Sequence, residues 1–143
     1  MEKFIGLDLG TRTLGIAVSD SLGIVHAREN FCFQKGNYKK AIEHLLLMVE
    51  IENIKNIVIG LPLQIDRQEG ERCQSVRRFV GDILNAKKDL KFYFFDESYS
   101  TIEARERLRD EGVNEEKIKK IIDMMSAVVI LEDFLRNKGY EQN

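Results

Sequence analysis

The chain has 143 residues, enough to bury one sizeable core without disulfide or metal staples. Its 24 acidic and 22 basic side chains leave a net charge of −2, which excludes the strongly basic footprint of a general nucleic-acid coat protein but allows a local basic patch. Cys32 and Cys73 are too few and too far apart for a zinc motif and read as reduced thiols of a cytosolic protein. No apolar run approaches membrane-spanning length, and Met1-Glu2-Lys3 leads straight into an apolar run, so neither an anchor nor a secretory leader is expected.

In chain order, Phe4 to Leu9 reads as a strand with Ile5, Leu7 and Leu9 on one face and Phe4, Gly6, Asp8 and Gly10 on the other. Leu14 to Ser19 repeats the arrangement, with Gly15, Ala17 and Ser19 on its small-residue side. The linking Gly10-Thr11-Arg12-Thr13 makes the pair a hairpin. Asp8 therefore points over a bare floor cleared by Gly6, Gly10 and Gly15, and an ionised carboxylate there requires a partner or a metal ion. Ile24 to Phe33, after the turn Asp20-Ser21-Leu22-Gly23, gives a third antiparallel strand.

From Tyr38, Ala41, Ile42, Leu45, Leu46 and Val49 recur at helical spacing, with His44 read as a rim histidine. Asn56 to Gly60 is a short, continuously apolar strand, buried on both faces and hence central. Leu61 to Gly70 is a loop holding the only proline, followed by a helix from Glu71 to Lys87. Lys91 to Phe95 is the fifth strand, ending at Asp96-Glu97. Ser100-Thr101-Ile102-Glu103 reads as a capping box opening a helix to about Asp110, stopped by Gly112. A last helix runs from about Asn114 to about Asn137, with Asp123, Ala127, Ile130 and Phe134 on one face.

This order predicts an α/β mixed five-stranded sheet, three antiparallel strands then parallel ones, with helices on both faces. Nothing repeats and no linker interrupts it, so residues 1–143 are expected to form a single domain. Chemistry in such sheets gathers at the carboxyl ends of the parallel strands. Asp66 and Asp96-Glu97 fall there, and Asp123 heads an apolar helix face rather than a helix start. The nearest cations are Arg12 in the first turn and the cluster Arg67, Arg72, Arg77 and Arg78, diluted by Glu69 and Glu71.

Four segments, GLDLGTRTLGIAVSD, IVIGLPLQIDRQEG, FDESYSTIEARERL and IIDMMSAVVILEDFL, resemble in order the signature blocks of the YqgF family. These are RuvC-like Holliday-junction resolvases, also described as pre-16S rRNA nucleases. The resemblance covers nearly the whole chain. It implies an RNase H-like fold, a bacterial cytoplasmic protein and magnesium-dependent phosphodiester hydrolysis, with catalytic carboxylates at Asp8, Glu97 and Asp123. Two positions depart from the blocks: Arg12-Thr13 stands where Lys-Arg is frequent, and Ser98 where an arginine is usual, with Ser100-Thr101 in place of a Thr pair.

Three carboxylates suit Mg2+ or Mn2+, with Asp8 bridging and Glu97 and Asp123 each completing one ion. Arg12, Arg67, Arg72 and Arg77 are expected to bind the nucleic acid. Gly6, Gly10, Gly15, Asp66, Asp96 and Thr101 are expected to support the site, the glycines then reading as clearance for a nucleic-acid backbone approaching the floor around Asp8. The expected partner is structured RNA or branched DNA, for a monomer or homodimer without a membrane. Maturation of the pre-16S rRNA 5′ end is the leading expectation, and resolution of DNA junctions the first alternative. A non-catalytic RNA-processing adaptor stays open, as does an actin-like ATP-binding domain, whose phosphate hairpin the first block also resembles; that last reading suffers because such proteins use two domains.

Overall fold

The computed structural model describes residues 1–63, 68–97 and 99–141, with side chains described to residue 137. Strands β1 (Phe4–Leu9), β2 (Thr13–Ser19) and β3 (Val25–Cys32) precede helix α1 (Tyr38–Glu52). Strand β4 (Asn56–Leu61), helix α2 (Glu71–Ala86), strand β5 (Lys91–Asp96), helix α3 (Ser100–Asp110) and helix α4 (Glu115–Glu141) follow. The sheet order is β3-β2-β1-β4-β5. β1 and β2 pair antiparallel, as do β2 and β3, whereas β4 lies parallel to both β1 and β5. The expected mixed sheet is therefore observed, with β1 and β4 at its centre.

Side-chain alternation divides the core into two layers. Ile5, Leu7, Leu9, Leu14, Ile16, Ile57 and Ile59 pack beneath α1 and α2. Phe4, Ala17 and Val58 face the other way, onto Ala127, Ile130, Leu131 and Phe134 of α4. Phe134 anchors that layer with its ring 5.6 Å from Phe4, 5.3 Å from Tyr93 and 6.3 Å from Phe95. Transfer from water of one such ring contributes about 2–3 kcal/mol.

The bare floor has a different tenant from the one expected. A Cβ on Gly6 would lie 2.8 Å from Leu131 Cβ, and one on Gly15 would overlap the Asp123 carbonyl. The glycines make room for the backbone of α4, which buries the face that the strand pattern left open. A nucleic-acid backbone has no access to that floor.

Helix ends also adjust the expectations. Gly112, at φ +83°, closes α3 in the left-handed conformation, its amide donating to Arg109 and that of Val113 to Leu108. This is the Schellman arrangement that glycine favours. The capping box does not form: Ser100 is already helical, no side chain caps Tyr99, and Glu103 pairs with Arg107 instead. Glu103's amide bonds the Tyr99 carbonyl, so the helix starts without help from Ser100. α4 also continues to Glu141, past the expected end near Asn137.

Candidate active site

Three acids converge from three elements. Asp8, next to last in β1 and opposite Gly15 on β2, is 5% exposed on the α4 side of the sheet. Glu97 directly follows β5, its amide donating to the Leu61 carbonyl at 3.3 Å, and is 7% exposed. Its carboxyl crosses β4 where that strand has no side chain, since a Cβ on Gly60 would lie 2.6 Å from Glu97 Oε2. Asp123 sits on α4 above Gly15, and its Oδ2 accepts a hydrogen bond from the Thr13 hydroxyl. Gly10 leaves space for that carboxylate, 3.1 Å from where its Cβ would stand.

Burial dominates the electrostatics. It pushes the Glu97 carboxyl up to about 10, aided by repulsion from the Asp8 carboxylate and by the hydrogen bond between them, while Arg72 opposes. Burial also raises Asp8 to about 6; the hydrogen bond from Glu97 pulls it down, the Asp123 charge pushes it up, and Arg72 and Ser126 pull it down. Two carboxyls in contact cannot both ionise cheaply, so near neutral pH Glu97 keeps its proton and donates a hydrogen bond through it to Asp8. Glu97 Oε2 is nevertheless buried with no hydrogen-bond partner. Such an orphan acceptor costs about 1–3 kcal/mol.

Among the described residues, no three Asp, Glu, His or Cys side chains stand grouped as a ready metal-ligand set. Asp8 and Glu97 are engaged with each other, and Asp123 with Thr13. This arrangement has a thermodynamic consequence. The folded value of Glu97 lies above its ordinary 4.5, so the folded state holds more protons across the interval. The contribution to stability is fully present below the lower value and is lost as pH rises toward the upper one. In chelator, the melting temperature is therefore expected to fall between about pH 5 and about pH 9. Glu97→Gln, which keeps a donor to Asp8, should flatten that slope and melt higher at the alkaline end by roughly 4–8 °C. A wild-type melting temperature constant across this range, followed by calorimetry, would contradict the proton-sharing pair.

The cations separate into different settings. Arg72, on the first turn of α2, donates from Nη2 to the Leu9 carbonyl at 3.0 Å and lies near enough to favour the ionised forms of both Asp8 and Glu97. It borders a cleft of about 150 Å³ lined also by Gly10, Thr11, Tyr38 and Ser75. Arg77 is engaged elsewhere, making two bonds of 2.7 and 2.6 Å to Glu69 and covering the Phe94 ring at 4.7 Å. Arg12 is exposed in the β1–β2 turn, where its carbonyl accepts from the Phe33 amide. Asp96 is the last residue of β5, in register with Leu61. Asp66, Arg67 and Ser98 lie outside the described residues.

Thr13, Gly60 and Ser126 belong to the site without having been singled out in the sequence. Ser126 is fully buried with its hydroxyl against Asp8 and 3.4 Å from Thr101 Oγ1, which ties Thr101 to the carboxylates. Its position three residues after Asp123, a helical spacing, was an available signal. Gly60, a glycine ending an apolar strand, was another. Thr13 gave none.

Comparison with known proteins gives this geometry a lineage. The RuvX family profile, described as Holliday junction resolvase, matches residues 2–137. The chain belongs to the RuvX family. A relative from Staphylococcus saprophyticus is 34% identical over 135 residues, spanning 94% of this chain and 95% of its own. One from Clostridioides difficile is 34% identical over 133 residues, 93% of each. Both are provisionally named pre-16S rRNA nucleases. Among solved structures, Thermus thermophilus RuvC aligns with a TM-score of 0.60 at 10% identity over 95% of this chain and 96% of RuvC. The same protein bound to a Holliday junction substrate gives 0.59 at 13% identity, with the same coverage. At such identities the likeness concerns the fold, which is RNase H-like. This RuvX chain carries no helix among the described residues that is long and apolar enough to cross a membrane.

Proposed function

We propose that this chain is a divalent-metal-dependent endonuclease that hydrolyses nucleic-acid phosphodiester bonds, in 5′-end maturation of pre-16S rRNA, as one cytoplasmic domain. Asp8, Glu97 and Asp123 are its catalytic carboxylates. The observation that carries the reading is the buried contact between Asp8 and Glu97, with Glu97 Oε2 left without a partner. A fold gains nothing from two acids forced to share a proton in a dry setting, and such strained pairs concentrate at functional sites.

The donor set fits magnesium or manganese, because all three groups offer hard carboxylate oxygens and one buried oxygen has spare acceptor capacity. When bound, the ion supplies positive charge against the scissile phosphate and lowers the pKa of the attacking water. Asp8, fixed by its strand and by Ser126, Glu97 once deprotonated, and Asp123 through the oxygen now bonded to Thr13 would hold the ion. Arg72 offsets the negative charge and holds the end of β1 through Leu9. Arg12 and Arg67 are assigned to phosphate contacts, whereas Arg77 already has its carboxylate. Arg72→Gln is expected to weaken RNA binding roughly 10-fold at low salt, read by filter binding; unchanged affinity would remove it from the interface.

DNA-junction resolution is the second reading, supported by the family description and by the RuvC fold. A two-fold junction calls for a two-fold enzyme. A panel of precursor rRNA fragments and four-way DNA junctions, with sedimentation of the free protein, separates the two. Cleavage confined to RNA supports rRNA maturation; paired incisions in the junction by a dimer support resolution.

A further inference from the structure

Two residues beyond Glu97, at the residue preceding α3, stands Tyr99 with 75% of its surface exposed. Ile102, three positions on and on the same side of the helix, is 55% exposed. Together they form an exposed apolar ledge that begins two residues along the chain from Glu97. The fold does not account for this ring. Its phenol makes no cap hydrogen bond to α3, and no other ring packs on it among the described residues. The buried stripe of α3, Ser100, Ala104 and Leu108, turns inward without it. Tyr38 and Tyr93, by contrast, lie against Phe33 and Phe134.

We propose that Tyr99, backed by Ile102, is a stacking platform for one unpaired nucleobase next to the scissile phosphate, and that it makes the site prefer single-stranded segments over duplex. The placement of that phosphate rests on the nuclease reading above. Two chain steps span at most about 7 Å, so the ring lies within reach of a nucleotide adjoining one held at Glu97. Every base offers a π-face to such a ring, whereas bases inside a helix have both faces occupied. A phenol hydroxyl can hydrogen-bond a phosphate, but the exposed ring face, extended by Ile102, matches a base. Recognition of this kind is tolerant of sequence and selective for unpaired structure.

The chain contains no tryptophan, so Tyr99→Trp installs a single tryptophan at the ledge, whose emission is read with excitation beyond the tyrosine band. The full chain carrying Tyr99→Trp with Asp8→Asn, to block turnover, is titrated with a single-stranded oligoribonucleotide and with the same sequence as a duplex. The single strand is expected to quench the emission by about half or more and the duplex to leave it nearly unchanged. In the Asp8→Asn background Tyr99→Ala should weaken single-strand binding ~5- to 100-fold while Tyr99→Phe retains it. With Asp8 intact, Tyr99→Ala should raise KM and leave kcat in place. Absent quenching, equal quenching by the duplex, or Tyr99→Ala affinity within about twofold of the parent overturns the platform. Quenching in the Tyr99→Trp double variant, with no cleavage by the protein whose Asp8 is intact, would sink the nuclease reading and leave base stacking at Tyr99 standing. Cleavage unaffected by Tyr99→Ala would do the reverse.

Discussion

Asp8→Asn is expected to lower the rate of phosphodiester cleavage on the order of 10³-fold or more while making the metal-free protein more stable. The two effects have one cause. Asp8 sits 5% exposed against Glu97, with its carboxyl raised to about 6 by burial. Above that value the native state carries a charge that the unfolded chain would hydrate freely. Removing the charge should therefore stabilise the fold by on the order of 1–3 kcal/mol near pH 8, seen as a higher melting temperature in chelator. The same change deletes the donor assigned to the ion. Asparagine retains the shape and a carbonyl oxygen, so lost activity with gained stability isolates charge from packing. A structural aspartate would behave otherwise: its replacement would cost stability and leave any activity intact.

Gly15→Ala is expected to destabilise the protein by roughly 3 kcal/mol or more and to lower cleavage about 10²-fold. The added methyl meets the Asp123 carbonyl, which is helix backbone and cannot rotate aside. Relief requires α4 to lift from β2, and Asp123 travels with it. Gly81→Ala is the control, because nothing stands within 4 Å of the position a Cβ would take there. That change in the middle of α2 should stabilise by about 0.5–1 kcal/mol. Chemical denaturation of both variants distinguishes a close approach at Gly15 from a general intolerance of side chains. Equal stability of Gly15→Ala and wild type would mean that α4 is not seated on the β1–β2 floor.

The sheet was legible because its signals are local. Alternation in Phe4 to Leu9 and Leu14 to Ser19 assigned both faces correctly, and Asp123, Ala127, Ile130 and Phe134 were placed on the helix face whose last three members are buried against the sheet. The unbroken apolar run Asn56 to Gly60 marked a central strand, and β4 does lie between β1 and β5. What escaped depends on contacts between distant segments. A glycine reports that space is needed, not what fills it, and the tenant of the β1–β2 floor comes from a helix more than a hundred residues later. Thr13 meets Asp123 across 110 positions. Arg77 looked available as a cation because Glu69 was read as dilution, whereas the two form a tight ion pair. The capping box failed because the chain is already helical at Ser100, where its hydroxyl can no longer serve as a cap. Asp8, Glu97 and Asp123 were singled out by residue type and by resemblance; the proton shared by Asp8 and Glu97 depends on burial, which no spacing shows.

The most direct test of the central claim is the initial rate at which purified wild-type protein cleaves a precursor 16S rRNA 5′ fragment, measured in chelator and again after excess magnesium is restored. The account predicts no cleavage in chelator, recovery with magnesium or manganese, and no recovery for Asp8→Asn. Cleavage that persists in chelator, or equal rates for wild type and Asp8→Asn, would contradict it.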